Sequence, residues 1–517
     1  MAGLRNRLRA ALRAWKQPSR GARNAFAGAA TNRLSEWIYA PTLSADQEIR
    51  GDLRVLRARA RELVRNNPYA ARFVDLVAEN VIGEHGIRLQ AQVKRADGNL
   101  DEETNSRIET AWREWSAPAY ASIDGRLSWV DLQQLALQSI AQDGELLMRM
   151  IPGAENPFGF SLQVLDPDQL DPDYNRTAGE GRNEIRMSVE IDRWGKPVAY
   201  WILSAHPSDY TARDRVRERI PAAQVIHEFF VRRPGQTRGV TWFAPVILDA
   251  KMHGGWTEAA LVAARAGASQ MGFITQSAEA VADPNADGAD EPITMEAEPG
   301  VIATLQPGQE FQGWNPAYPN TAFGEFSKAI LRSIATGLKV SYNTLANDLE
   351  GVNYSSLRAG LLSERDAWRR LQSWTYCHLH DRIYPEWLKW ALTTGALELP
   401  SRQLGRWTAH RWLPRGWPWV DPLKDVQADG LAVALGFDSP DRVVGEQGLE
   451  LDEIYAGIAR ARELAASYGL SLATVSSVTA GGATDGTTDG GDPSGSAAGG
   501  SDRAGRRPGL RVERARG

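Results

Sequence analysis

Residues 245–269 read PVILDAKMHGGWTEAALVAARAGAS, and this stretch decides the architecture. Ala259, Ala260, Ala263, Ala264, Ala266 and Ala268 predict one long helix whose faces are nearly all small. Alanine is the best helix former and holds no neighbour at a distance. Such a helix suits close packing against copies of itself, with Ala259, Ala263 and Ala264 as the contact. An ordinary buried helix would have the same composition, so this segment alone leaves both readings open.

Downstream, residues 282–292 are acidic and loop-like, between short strand-like runs at 272–275 and 301–305. A second helix over 323–339 aligns Phe326, Ile330 and Ile334 on one stripe. A polar interval at 341–355 leads to a long helix over 356–393. Residues 407–422 are dense in Trp and Pro, and two or three helices follow before Leu470. The tail from 476 is rich in Gly, Ala, Ser, Thr and Asp, a composition that cannot bury enough surface to offset chain entropy.

Upstream, a charged helix is predicted over 52–66 with Leu53, Leu56, Leu63 and Val64. Pro68 interrupts it before a helix with Phe73, Val74, Val77 and Val81 on one face. Residues 102–115 form a further helix, and Ser128 with Asp131 reads as a capping box for 130–142. The chain then turns to strands at 145–151, 160–165, 186–192, 197–203 and 222–231, with a hairpin turn at Arg193-Trp194-Gly195-Lys196. Mixed helix and sheet of this kind is an α+β chain.

Arg5, Arg7, Arg9, Arg13, Lys16, Arg20, Arg23 and Arg33 all precede the first acid, Glu36. Leu4, Leu8, Leu12 and Trp15 recur at three- and four-residue steps, so residues 3–16 read as a basic amphipathic helix. The basic residues break every apolar run that a secretory signal would need, and an arm docking on an acidic or apolar surface is expected. No window reaches the roughly 18 apolar residues of a membrane span, and the chain is read as soluble and intracellular.

The whole chain has 517 residues, 59 Lys+Arg and 64 Asp+Glu, for a net charge of −5. That balance argues against a protein that coats nucleic acid, which needs a strong positive field. Cys377 is the single cysteine, which excludes an internal disulfide and a Cys-based zinc finger. GxxxxGK[ST], GxGxxG after a strand, HExxH and GxSxG are all missing. Cys377, His378, His380 and His410 are poorly spaced for tetrahedral ligation, and Cys377 is expected in the core beside Trp374 and Tyr376. The run LDPDQLDPDY, with Asp166, Asp168, Asp171 and Asp173, lacks the Gly and final Glu of a calcium loop and reads as a rigid turn. No cofactor is expected, and nothing marks an active site.

Several stretches in order resemble the portal proteins of tailed bacteriophages, lambda-type family. They are NPYAARFVDLVAENVIG from Asn67, Asp143-Gly144-Glu145 with LLMRMI, and LQVLDPDQLD from Leu162. EIDRWGKPVAYWIL from Glu190, RRPGQTRGVTWFAPVI from Arg232, NYSSLRAGLLSE from Asn353 and WPWVDPLKD from Trp417 complete the set. The resemblance spans about residues 40–470.

The resemblance implies a portal-type fold: an α/β wing (41–244), two stem helices (245–272 and 321–340), a small β-containing clip (273–320), a tunnel loop (341–355), a returning wing segment (356–424) and a helical crown (425–475). A basic arm at 1–40 and a disordered tail at 476–517 flank it. It implies a dodecameric ring at one capsid vertex of the virion, with double-stranded DNA in its channel. Its partners would be the terminase large subunit, head–tail connector proteins, and the major capsid and scaffold proteins, with assembly in the host cytoplasm. Tunnel-loop residues Asn343, Asn347, Asp348, Glu350 and Asn353 would face DNA. Lys251, Arg265, Lys328, Arg332 and Lys339 on the stem would either guide DNA or bridge to neighbouring subunits through acids such as Glu258 and Glu325. Two other readings compete: a metal-dependent nucleic-acid enzyme using Asp166 and Asp168, and another virion structural protein.

Overall fold

The computed structural model describes residues 42–210, 215–268, 272–276, 309–313, 323–350, 353–417 and 422–470. The arm at 1–40, the loop-like interval 282–292, the expected strand at 301–305 and the tail from 476 lie outside them. The chain divides into two units, Met1–Leu449 and Glu450–Gly517.

Helix α1 (Ala45–Asn66) starts earlier than expected because Ser44 and Gln47 close a capping box ahead of the leucine stripe. Pro68 then begins α2 (Pro68–Val81) at a position where its missing N–H costs nothing, and Asn67 caps the N–H groups of Tyr69 and Ala70. Strand β1 (Arg88–Ala91), helices α3 (Glu102–Trp115) and α4 (Pro118–Ala121), and α5 (Trp129–Asp143) follow; the capping box of Ser128 and Asp131 stands as expected.

Strands β2 (Glu145–Pro152) and β3 (Phe160–Leu165) match their expected bounds closely. The single strand expected over 186–192 is instead a hairpin of β4 (Glu184–Arg186) and β5 (Val189–Ile191). Met187 and Ser188 turn it at φ 47° and 70°, a pair of left-handed residues such as a two-residue hairpin loop requires. Neither is Gly, Asn or Asp, so the sequence hid the turn. Tertiary bonds hold it: Asn175 Oδ1 accepts from the Met187 N–H at 2.9 Å, and Ser188 Oγ donates to the Asp171 carbonyl at 2.9 Å.

Strands β6 (Pro197–Leu203), β7 (Arg217–Pro221) and β8 (Val225–Phe229) complete the region. The sequence reading missed β7 and overextended β8, which is preceded by a 3-10 turn at Ala222–Gln224. β2 lies between β3 and β8 in one sheet, while β4 to β7 form an antiparallel meander.

Helix α6 (Ile247–Ala268) is the alanine-rich stretch. Strands β9 (Gly272–Gln276) and β10 (Gln309–Gly313) pair antiparallel, and α7 (Phe323–Leu338) returns the chain. A short helix α8 (Tyr342–Ala346) leads to α9 (Tyr354–Thr375), a π-helical turn at Tyr376–His380, and α10 (Asp381–Thr394). The one helix expected over 356–393 is therefore widened in its middle. Helix α11 (Leu404–Trp407), strand β11 (His410–Leu413), α12 (Pro422–Ala434) and α13 (Pro440–Glu446) finish the first unit. In the second, α14 (Leu451–Ser467) is described.

The two ends of the first unit share one core. β11 pairs with β1, and Trp112 stands at the centre of a ring cluster with Trp115, Trp129, Trp387, Tyr384 and Trp412, centroids 4.7–6.0 Å away. Burying several rings of this size dominates core energetics. The segment from α6 to α7 is thus an excursion between two parts of the chain that share this core.

Candidate functional site

Helices α6 and α7 pack side by side in opposite directions. Asp249 accepts from Ser333 at 3.4 Å, His253 Nε2 meets Ser327 Oγ at 2.8 Å, and Trp256 stacks on Phe323 with centroids 4.5 Å apart. Burial pushes the His253 imidazole pKa down, so its ring is neutral in this contact. Ala260 is buried, whereas Leu248, Met252, Leu261 and Val262 are 58–69% exposed; at helical spacing Leu248, Met252 and Val262 fall on one side of α6, left open among the described residues, and Leu261 on another. Ala259 lies exposed, and Ala263 and Ala264 are half-buried. On α7, Ile334 is buried and Ile330 half-buried, but Phe326 lies 52% exposed against Trp256.

The interval after α7 differs from the loop expected at 341–355. Lys339 reverses the chain at φ 62°, and Ser341 caps α8 by accepting from the Thr344 N–H at 3.1 Å. Leu345 is buried, and Asn347 ends the short helix in the left-handed conformation at φ 51°. Asn343 lies half-buried on α8, and Asn353 is exposed. Beyond the helix, Tyr342 Oη donates to Asp348 at 2.7 Å, and Lys328 Nζ lies 3.5 Å from both Asp348 and Glu350. The Tyr342 bond, the Glu350 N–H and Lys328 together lower the Asp348 pKa, while burial and Asp348 push the Tyr342 hydroxyl up to about 12. Asp348 and Glu350, expected to face DNA, and Lys328, expected either to guide DNA or to bridge to a neighbouring subunit, form a single cluster within the chain.

The other cations singled out in the sequence are also placed. Lys251 bonds Glu62 of α1 at 3.0 Å rather than a stem acid, and the Arg332 guanidinium sits 5.4 Å from the Tyr342 ring. Arg265 and Lys339 are exposed at the ends of α6 and α7.

A second constellation was not recognised in the sequence. Glu145, fully buried at the start of β2, accepts from Arg57 at 2.6 Å, Arg238 Nε at 3.0 Å and the Gly239 N–H at 2.8 Å, and meets His227 Nε2 at 3.0 Å. Burial alone would raise its pKa, but Arg238 and Arg57 outweigh it and hold the carboxyl well below its usual range. Arg61 bonds Asp143 at 2.8 Å, Asp166 at 2.8 Å and Asp168 at 2.8 Å, and Asp168 also accepts from Arg57. Gly144 makes this approach possible: at φ 93° it faces residues 240 and 241, and an added Cβ would lie 2.3 Å from the Val240 backbone. Gly239 is equally confined, since its Cβ would fall 2.1 Å from the Gly144 carbonyl oxygen. Asp143-Gly144-Glu145 and Arg238-Gly239 are thus two sides of one clamp between α1, β2 and the turn after β3.

This clamp accounts for the carboxylate run. Asp166, Asp168 and His206 are the one triad with metal-ligand spacing among the described residues, His206 Nε2 lying 3.5 Å from Asp168. Their carboxylates already take guanidinium hydrogen bonds, so arginines supply the positive charge a divalent ion would bring. Asp171 is held likewise by Arg54 and Arg217 at 2.8 Å each. The histidines near Cys377 do not converge: His378 stacks on Trp374, His410 bonds Asp381 at 3.0 Å, and His380 is buried between Trp129 and Trp412. Cys377, expected in the core, is exposed. The π turn inserts an extra residue into the helix register, which presents Leu379 and His380 to the core instead.

The family model described as "Phage portal protein, lambda family" matches residues 30–372. The "Probable portal protein" of Halomonas phage phiHAP-1 is 38% identical over 417 residues, covering 80% of this chain and 80% of that protein. "Portal protein B" of Escherichia phage lambda is 24% identical over 468 residues, covering 82% and 86%. Among solved structures, a chain from the neck of an empty gene transfer agent particle aligns with TM-score 0.42 and 16% identity, covering 80% of this chain and 95% of that one. Both phage relatives are named as portal proteins. By the family match and the identity to the Halomonas phage protein, the chain belongs to the lambda family of phage portal proteins.

Proposed function

We propose that this chain assembles into a closed ring at one capsid vertex of the virion and that DNA passes through its channel during packaging and ejection. Helices α6 and α7 form the stem, β9 and β10 belong to the clip, and α12 to α14 form the crown. The ring is the docking platform for the terminase large subunit and later for head–tail connector proteins, and its wing meets the major capsid and scaffold proteins.

The observation that carries this reading is the exposed side of α6, where Leu248, Met252 and Val262 lie open around the exposed Ala259 on a helix built largely from small residues. A stripe of this kind marks a protein–protein contact. Repetition of one heterologous contact with a closing rotation gives a ring. Near the stem's end, the Lys328–Asp348–Glu350 cluster leaves Glu350 mostly exposed, which suits a channel wall that must not hold phosphate tightly. Native mass measurement of the purified chain should give closed rings of about a dozen subunits, a closed symmetry that one repeated interface can generate. A stable monomer across salt conditions overturns the proposal.

A further inference from the structure

A groove of about 660 Å³ opens between the end of α1, helices α2 and α5, and the turn at 122–127. Its floor mixes the apolar Val64, Val74, Leu127, Leu135 and Val164 with the polar Gln138, Ser139, Gln142 and Gln163, and Ile123 stands 45% exposed at its edge. Every charged residue lining it is acidic: Asp75, Asp124, Asp143 and Asp166. Arg61 engages Asp143 and Asp166 from the clamp side, while Asp75 is exposed on the rim and Asp124 bonds only its own turn, through Ser122 and the Arg126 N–H. The groove therefore offers apolar side chains beside two acids, Asp75 and Asp124, that form no ion pair among the described residues, with Arg126 the cation near Asp124.

One segment of this chain carries the opposite chemistry in the same arrangement. Leu4, Leu8, Leu12 and Trp15 recur at helical steps, and Arg5, Arg9, Arg13 and Lys16 follow them one position on, as an adjoining basic stripe. We propose that residues 3–16 dock in this groove, the leucine and tryptophan side chains on its floor and the basic stripe against Asp75 and Asp124. The reach is sufficient. The 22-residue α1 spans about 33 Å from its start to the groove, and residues 17–44 can extend to more than twice that distance at roughly 3.3 Å per residue. Tethering makes the docking intramolecular, or between neighbouring copies, so a modest contact suffices at the resulting effective concentration. The inference does not depend on ring closure.

Photo-crosslinking on the full-length protein tests it, with p-benzoylphenylalanine replacing Ile123 and mass spectrometry locating the products. Cross-links should map to residues 3–16; a monomeric product assigns the arm to its own groove and a dimeric product to a neighbour's. Asp75→Lys should lower the yield about tenfold, as loss and reversal of screened charge pairs implies. In the arm itself, Leu8→Asp with Leu12→Asp should abolish it without touching the body of the protein. Cross-links to any other segment, or none above background, overturn the proposal.

Discussion

Arg238 and Glu145 form an ion pair in which both side chains are wholly inaccessible to solvent. The remaining donors of Arg238 go to the carbonyls of Leu170 at 2.8 Å, Met187 at 3.0 Å and Pro167 at 3.1 Å, so no charge or polar hydrogen is stranded. The pair joins β2, the turn after β3 and the β4–β5 hairpin at one point.

Breaking it on one side leaves buried cations uncompensated. Glu145→Gln should destabilise the folded chain by about 3–5 kcal/mol, read as a lowered denaturation midpoint. The depressed carboxyl pKa sets the sign of its pH dependence. The stabilisation is fully present above the unfolded carboxyl value near ~4.3 and is lost as pH falls below it toward the lower folded value. The variant should lack that part of the acid limb. Equal stability of wild type and variant at neutral pH would show the clamp to be dispensable.

His380 works in the opposite charge sense. Burial among Trp129 and Trp412 brings its pKa down to about 3, so it is neutral in the fold while the unfolded imidazole protonates near ~6.5. Stability from this residue is intact above ~6.5 and falls by up to about 1.4 kcal/mol per pH unit between there and the folded value. Comparing denaturation of wild type with His380→Leu at pH 7 and pH 5 checks it. The gap between them should shift in favour of the leucine variant at pH 5.

At the stem, the proposed channel makes a charge prediction. Asp348→Lys with Glu350→Lys removes both partners of Lys328 and places three cations together. Assembly should persist, duplex DNA should bind more tightly, and log K against log salt should steepen by about 0.9 for each added phosphate contact. Packaging should slow or stall. Unchanged affinity and unchanged packaging would remove this cluster from the channel wall.

The ring contact is tested on the small residues of α6. Ala263→Trp or Ala264→Trp should overfill the helix contact and leave open or monomeric species, since overpacking typically costs about 1–3 kcal/mol at each site and a ring repeats it. Light scattering on the variants reads this directly. Closed rings with tryptophan at both positions would move the subunit contact away from this face.

Local signals were legible in the sequence alone. The capping box of Ser128 and Asp131, the helix over Glu102–Trp115, the strand Phe160–Leu165 and the small-faced helix Ile247–Ala268 all follow from periodicity and end chemistry within a few residues. The family, too, was carried by ordered motifs. What those motifs do was decided only by tertiary structure. Gly144 and Gly239 lie 95 positions apart in the chain, and no local pattern says that their backbones meet. The hairpin at Met187 and Ser188 uses residues that do not favour positive φ, and bonds to distant groups hold them there. Asp166 and Asp168 read in sequence as part of a rigid turn, but nothing local named the partners of their charges; α1 brings Arg57 and Arg61 against them. Propensity and spacing act over a turn or a strand, whereas a buried charge is settled by whichever partners the fold delivers to it.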